Sequence, residues 1–164
     1  MLNALRNGLL KKLFFLIIPL SIFGCMIDEA PAWVDSHIKN STSHSIKLLP
    51  YRCGMVDNER IVVIKPDVDT VVDRMSQPGK SFQPTYINNL SFFDSILVTF
   101  DDSIKIPHIR CDSTYTGSHK VPFSSKRSLM NINNWTKTYT SETKYALNGY
   151  YMFTFVEQDY LDAR

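Results

Sequence analysis

Cys53, His108, Cys111 and His119 are the residues whose types and spacing could do chemistry in this chain of 164 residues. His108-x-x-Cys111 could chelate zinc, which thiolate and imidazole ligands bind well, but Cys53 has no second ligand at zinc-finger spacing. Cys111 and His108 could also act as a nucleophile and its base. A Cys53–Cys111 disulfide, two free buried thiols and a zinc site therefore stay open, and the cell compartment helps to choose between them.

The N-terminal segment has the layout of a secretory signal. Its first 12 residues carry three basic residues and no acid, and Leu13–Phe23 form a short apolar run that contains Pro19. A membrane-spanning helix needs roughly 20 apolar residues, about twice the length of this run. Cleavage after Gly24 would make Cys25 the first residue of the mature chain.

Ile22-Phe23-Gly24-Cys25 resembles the lipobox of bacterial lipoprotein precursors, in which a small residue precedes the lipidated cysteine. The resemblance implies a lipoprotein signal peptide over residues 1–24 and a Cys25 that carries palmitate-type acyl chains. Such chains anchor a protein to a membrane at about 0.8 kcal/mol per buried CH₂. An ordinary signal peptide with a coincidental cysteine is the alternative.

Residues 25–32 are expected to form a tether between the lipid and the folded domain. Asp28-Glu29 is similar to the acidic tracts with which Bacteroides-type bacteria send lipoproteins to the cell surface. We therefore expect an outer-membrane lipoprotein of the cell envelope that faces the cell exterior.

Removal of the leader changes the charge of the chain. The formal net charge falls from +2 to −1, because the leader holds three basic residues and no acid. No basic cluster remains to bind nucleic acid. The mature chain has the size of one domain, which we place at residues 33–164. In an exported protein the two remaining cysteines, Cys53 and Cys111, are expected to form a disulfide.

Sequence signals for enzyme chemistry are few. The chain has no Gly-x-Ser-x-Gly motif, no phosphate-binding glycine-rich loop and no His-Glu-x-x-His helix. His37 and His44 flank one polar turn, and exposure to solvent at hairpin positions explains them without a metal. We therefore expect a protein that is not an enzyme, with no catalytic residue, no cofactor and no metal.

Two β-hairpins are predicted from the alternation of apolar and polar residues. In the first, residues 34–38 and 46–48 flank the polar cluster Asn40–Ser43. In the second, residues 96–106 alternate on both sides of the turn Asp101-Asp102.

Further strands follow from composition. The β-branched run at residues 61–64 predicts a strand buried on both faces, and Val71-Val72 marks another short strand. Pro107 removes a backbone donor and places its strand at an edge. Residues 145–155 alternate aromatic and other side chains, and residues 157–163 are expected to form a last helical turn.

Seven or so short strands without a long amphipathic helix predict an all-β fold, an antiparallel β-sandwich of Ig-like or transthyretin-like type. The strings at residues 93–102 and 152–160 and the early Ile38-Lys39-Asn40-Ser41-Thr42 resemble small Bacteroides-type lipoproteins of unknown function. That resemblance implies no activity and no site.

A non-catalytic binding or accessory module is the function that these observations favour. Trp135, Tyr139 and Tyr150 belong to an aromatic-rich C-terminal third, and such side chains on an exposed sheet face could bind a glycan or a surface protein. The alternative is a structural subunit of a surface or pilus-like assembly, in which a strand edge pairs with a donated strand.

Four triplets, each with Asp, then Ser or Thr, and then an aliphatic residue or Thr, are similar to the O-glycosylation motif of exported Bacteroides-type proteins. Ser103, in the tight Asp101-Asp102 turn, and Ser113, in a long loop, are the sites that we expect to be reachable. Turn chemistry alone also produces such triplets in β-hairpins. O-glycosylation at Ser103 or Ser113 is therefore a hypothesis.

Overall fold

A computed structural model describes five parts of the chain, residues 32–77, 92–110, 117, 119–144 and 146–164. The predicted signal peptide, Cys25, Cys111 and Ser113 lie outside the described residues. Pro31–Arg164 forms one compact unit, and its first strand begins at Ala32. Within the described part of the chain, no helix has the length and apolar character of a membrane span.

Two β-sheets make up most of the described chain. Their strands are β1 (Ala32–Ser41), β2 (Ile46–Arg52), β3 (Met55–Val56), β4 (Val62–Ile64), β5 (Asp69–Gln77), β6 (Ser95–Phe100), β7 (Ile104–Ile109), β8 (Thr136–Glu142) and β9 (Leu147–Val156). The first sheet has the order β5-β1-β9-β8, and the second has the order β3-β2-β6-β7 with β4 beside β2. One α-helix, α1 (Glu157–Ala163), follows β9 directly. The prediction of an all-β chain is confirmed.

The first sheet is mixed, so the prediction of a wholly antiparallel fold is wrong. β1 runs parallel to β9, with Val34 opposite Gly149 and Ile38 opposite Phe153. The other neighbours in that sheet, β1 with β5 and β8 with β9, are antiparallel. Alternation along a strand tells which side chains share a face, but it does not tell the direction of the partner strand.

The first predicted hairpin is also wrong, because β1 and β2 belong to different sheets. The polar residues between them are not a solvated turn. Asn40 is fully buried, and its amide donates to the carbonyls of His44, Ile64 and Lys65. Its Oδ1 accepts hydrogen bonds from the backbone N–H and the hydroxyl of Thr42. Asn40 therefore replaces the ladder partners that the backbone loses where the chain crosses between sheets.

The second predicted hairpin is confirmed by the antiparallel pairing of β6 with β7. Asp101 and Asp102 both have positive φ, a conformation that Asp adopts more readily than most residues. Pro107 lies in the outermost described strand of its sheet, where its carbonyl accepts from the N–H of Val121 on the side away from β6. The missing N–H of Pro107 therefore costs no bond to β6.

The strand predicted to be buried on both faces has one face in solvent. β4 has three residues, of which Val63 is 63% exposed and Ile64 is buried. β4 lies at the side of β2, so only one of its faces meets the core. A β-branched run of this length is compatible with either arrangement, and its neighbours decide.

The two sheets share one apolar core. Alternation along β9 places Tyr151, Phe153 and Phe155 in it, as the sequence predicts, together with Ile38 of β1 and Val98 of β6. Burial of each such side chain stabilises the fold by about 1.5–3 kcal/mol. β9 then leads into α1, which therefore begins at the edge of this core.

Candidate functional site

The three aromatic residues predicted to form a binding face do not share one. Trp135 is only 6% exposed, and its indole N–H donates to the carbonyl of Leu129, so it belongs to the core. Tyr139 is 53% exposed. Thr138 pairs directly with Tyr150, so Tyr139, its neighbour in β8, points to the opposite face of the sheet from Tyr150. Aromatic residues from one aromatic-rich segment therefore end up in the core and on opposite faces of the sheet.

Cys53 is a free, exposed cysteine in the structure, and its predicted partner Cys111 lies outside the described residues. Tyr51, Ser95 and Ile109 are in register, so β2 and β7 leave the sheet at the same end with β6 between them. Strands two places apart are about 10 Å apart, whereas the Cα atoms of a disulfide are rarely more than about 6.8 Å apart. The bridge stays a prediction, and it requires the chain beyond β7 to cross the end of β6.

Ser103 is exposed in the β6–β7 turn, where a modifying enzyme could reach it. Ser113 and the lipidation residue Cys25 lie outside the described residues, so both of those predictions, like the glycosylation of Ser103, stay open.

A cavity of about 240 Å³ lies between β7, the segment at residues 119–127 and α1. Ile106 and His108 of β7 form one wall, and Asp159 and Asp162 of α1 form another. The segment between them contributes most of the polar lining. The cavity therefore brings three parts of the chain that are remote in sequence to one place.

His108 is the buried polar group of this cavity. Its side chain is nearly inaccessible, and its Nδ1 accepts a hydrogen bond of 3.0 Å from the N–H of Leu129. Burial, with a smaller contribution from the charge of Arg127, lowers the pKa of His108 to about 3. The neutral ring must then carry its hydrogen on Nε2. That N–H makes no hydrogen bond to any described residue.

Arg127 and Asp159 form a bidentate ion pair beside His108. Arg127 Nε donates to Asp159 Oδ1 at 2.8 Å, and Nη2 donates both to Oδ2 and to the carbonyl of Thr154. Asp159 Oδ2 also accepts from the N–H of Val156, which fixes the start of α1. The guanidinium lies over the ring of Phe153, 5.5 Å from its centroid. Nη1 of Arg127 makes no hydrogen bond within the described part of the chain.

Three further residues of the polar lining make hydrogen bonds around the cavity, and Lys120 lines it as well. His119 Nε2 donates to the carbonyl of Ala163 at 2.9 Å, which ties the segment to the end of α1. Ser125 Oγ accepts from the N–H of Arg127 at 3.1 Å, so its hydroxyl hydrogen stays available. Asp162 Oδ1 accepts from Gln158 at 2.6 Å.

Ser125, His108 and Asp159 line one cavity without the hydrogen bonds of a hydrolytic triad. In such a triad the histidine donates from Nδ1 to the aspartate and accepts from the serine at Nε2. Here Nδ1 is the acceptor, Nε2 carries the hydrogen, and Asp159 is held by Arg127. This arrangement can donate a hydrogen bond into the cavity but cannot take a proton from Ser125.

A second histidine cluster lies where β1 leads into β2. His44 Nδ1 contacts Asp101, its Nε2 lies 3.3 Å from Glu157, and its ring stacks on Tyr160 with 3.6 Å between centroids. The hydrogen bond from His44, with others from Ser45, lowers the pKa of Asp101. The prediction that His44 is a solvated turn residue is wrong, since its side chain is only 19% exposed.

His37 is held in a similar way on the outer face of the first sheet. Its Nδ1 lies 2.9 Å from Asp69, and its ring packs against that of Tyr150. The neighbouring Asp35 makes two hydrogen bonds of 2.7 Å with Arg74, and these lower the pKa of Asp35. In the described part of the chain, no group of three or more histidine, cysteine or acidic residues has the geometry of a metal site.

Sequence reasoning missed Ser125, Arg127, Asp159 and Asp162. Arg127 and its partner are 32 residues apart and follow no shared period. His108 offered a signal, because alternation with Ile106 places it on the inner face of β7, where a histidine is unusual.

The chain matches no protein-family model, no curated protein and no solved structure. Its function must therefore be argued from the geometry of its own residues.

Proposed function

We propose that this chain is a membrane-anchored, non-catalytic binding module whose ligand site is the cavity between β7 and α1. The observation that carries the proposal is the Nε2–H of the buried residue His108, which lines the cavity and has no partner among the described residues. This donor is therefore available to an acceptor atom of a ligand in the cavity.

The anchor in this proposal is Cys25, at the end of the lipobox-like Ile22-Phe23-Gly24-Cys25. Asp28-Glu29 supports delivery to the exterior face of the outer membrane. β1 begins at Ala32, so six residues, 26–31, would link the lipidated cysteine to the fold. The seven Cα–Cα steps from Cys25 to Ala32 could span at most about 25 Å, which keeps the domain close to the membrane surface in this proposal.

The domain itself is, in this proposal, a β-sandwich of Ig-like or transthyretin-like type. Its common core draws side chains from both sheets, as face-to-face packing requires. A sandwich provides a rigid frame, and its connecting segments carry the ligand site.

The hydrogen bonds of the cavity support binding rather than catalysis. A general base works best when its pKa lies near the operating pH, whereas the pKa of His108 is about 3. His108 stays neutral in this setting and serves as a donor. Arg127 and Asp159 neutralise each other and fix the cavity wall.

Lipid labelling in a bacterial host tests the anchor. Cys25→Ala is expected to abolish incorporation of labelled palmitate and to leave the unprocessed precursor, because the acceptor thiol is gone. Cys53→Ala is the matched control and should be labelled and processed normally. Normal processing of the Cys25→Ala chain would show an ordinary signal peptide instead.

Thermal unfolding of the full chain in detergent, with a panel of small polar solutes, tests the binding module. A solute that occupies the cavity raises the unfolding temperature, because it binds the folded state alone. That solute is expected to be recovered chemically unchanged, because the module is not catalytic. It should no longer raise the unfolding temperature of the His108→Asn variant. If no solute stabilises the chain, or if the effect survives His108→Asn, the cavity is not the binding site.

A structural subunit of a surface or pilus-like assembly is the second candidate. β8 supports it, because this outermost strand of its described sheet has mostly exposed side chains. Such a strand is where another chain can add a strand of its own. Size-exclusion chromatography separates the candidates, since a binding module stays monomeric and a subunit polymerises or co-purifies with neighbours.

A further inference from the structure

The cavity offers more hydrogen-bond donors than acceptors. His108 presents its Nε2–H, Arg127 presents Nη1, and Ser125 retains a hydroxyl hydrogen after accepting from the backbone. Both carboxylate oxygens of Asp159 are already engaged. A ligand that fills this cavity must therefore supply acceptor oxygens to its inner wall.

The formal charges of the lining limit the charge of that ligand. Lys120 and Arg127 are cationic, and Asp159 and Asp162 are anionic, so these four residues sum to zero. A dianion such as phosphate would face two carboxylates without a surplus of positive charge. A single negative charge that is shared between two oxygens suits a donor pair formed by an imidazole N–H and a guanidinium.

The cavity volume indicates the size of the ligand. Its 240 Å³ lies below the roughly 300 Å³ at which pockets for drug-sized ligands usually start. A molecule with a few carbon atoms fits this space.

We infer that the ligand of this cavity is a small organic monocarboxylate, with one oxygen bound by His108 Nε2–H and the other by Nη1 of Arg127. This inference rests on the proposed binding function and names its ligand class.

Nuclear magnetic resonance of the full chain in detergent tests the inference with three probes. L-Lactate is the carboxylate, lactamide is its neutral counterpart of equal size, and inorganic phosphate is the dianion. The backbone amide of Leu129 reports binding, because it donates to the other nitrogen of the His108 ring. L-Lactate is expected to shift it saturably, with a Kd of about 1 mM. Lactamide and phosphate are expected to bind at least about tenfold more weakly, since hydrogen bonds to charged groups are the stronger ones.

Two variants give effects of opposite sign. His108→Asn keeps an acceptor for Leu129, and its shorter side chain withdraws the donor from the position of Nε2, so it should weaken L-lactate binding at least about tenfold. Asp162→Asn removes a negative charge from an exposed helix position and should tighten binding. His37→Asn changes a histidine of the first sheet and should leave the Kd unchanged.

The outcomes separate this inference from the proposed function. If lactamide or phosphate binds as well as L-lactate, or if Asp162→Asn weakens binding, the carboxylate assignment is wrong and the cavity remains a binding site. If no solute in the thermal panel binds, the proposed function fails as well. The sign of the Asp162→Asn effect decides even where His108→Asn does not fold.

Discussion

His44 and His108 belong to two different clusters of side chains, and each cluster includes residues of the short helix α1. Glu157 and Tyr160 of α1 reach His44, whereas Asp159 of the same helix lines the cavity of His108. Residues three apart share a helix face, so α1 serves the two clusters from different sides.

The difference lies in what the ring nitrogens meet. Both nitrogens of His44 contact carboxylates, and Tyr160 covers its ring. This cluster therefore joins the connection between β1 and β2, the turn between β6 and β7, and α1. His108 has one nitrogen bound to the backbone and the other turned to a cavity. A histidine whose two nitrogens are both paired stabilises the fold, whereas one with an unpaired donor at a cavity is available to a ligand.

The largest expected effect comes from the ion pair beside His108. Arg127→Met leaves the nearly buried Asp159 carboxylate without its partner, which should lower the free energy of unfolding by about 3 kcal/mol. Arg74→Met, in the exposed bidentate pair with Asp35, is the control and should lower the free energy of unfolding far less, because solvent screens that pair. Urea unfolding measures both. An equal loss of unfolding free energy in the two variants would show that the pairing of the Asp159 carboxylate with Arg127 does not stabilise the cavity wall.

The next effect is the pH dependence of stability that His108 produces. The pKa of His108 is about 3 in the folded chain and near 6.5 in the unfolded chain, so below pH 6.5 the unfolded state binds the extra proton. Stability should therefore fall by about 2 kcal/mol between pH 6.5 and pH 5.

His108→Asn should remove that slope, and urea unfolding at both pH values measures it. A wild-type chain that is equally stable at pH 6.5 and pH 5 would contradict the burial of a neutral His108.

The smallest effect is expected at His44. His44→Ala removes the stacked pair with Tyr160, worth about 1 kcal/mol beyond the area that it buries. The pKa of Asp101 lies below its ordinary 3.8, so its stabilising contribution is present above that pH and is lost as the pH falls through the lowered value. His44→Ala should therefore also weaken the acid dependence below about pH 4, measured by thermal unfolding. If the unfolding temperature of His44→Ala falls below about pH 4 as steeply as that of the wild type, His44 does not lower the pKa of Asp101.

Local signals predicted the parts of the fold that depend on near neighbours. The β6–β7 hairpin follows from alternation around Asp101-Asp102, and α1 lies at residues 157–163, where a last helical turn is predicted. The partners of β1 could not be predicted, because β5 and β9 are remote in sequence and alternation does not give strand direction.

The candidate site, too, could be predicted only where it depends on near neighbours in sequence. The inner position of His108 is implied by alternation along β7, whereas the pair of Arg127 with Asp159 forms across 32 residues through a segment without strand or helix periodicity. The aromatic prediction failed at Trp135 because composition does not reveal that this ring, which lies just before β8, packs into the core with its indole N–H on the carbonyl of Leu129.

The central claim is that His108 holds an unpaired donor in the cavity, and its ring nitrogens can be observed directly. Nitrogen-15 resonance of the full chain, labelled at histidine, distinguishes the two neutral tautomers and follows protonation with pH. The structure predicts a single Nε2–H tautomer that persists from pH 8 down to about pH 4. An Nδ1–H tautomer, or a ring that titrates near pH 6.5, would contradict the account.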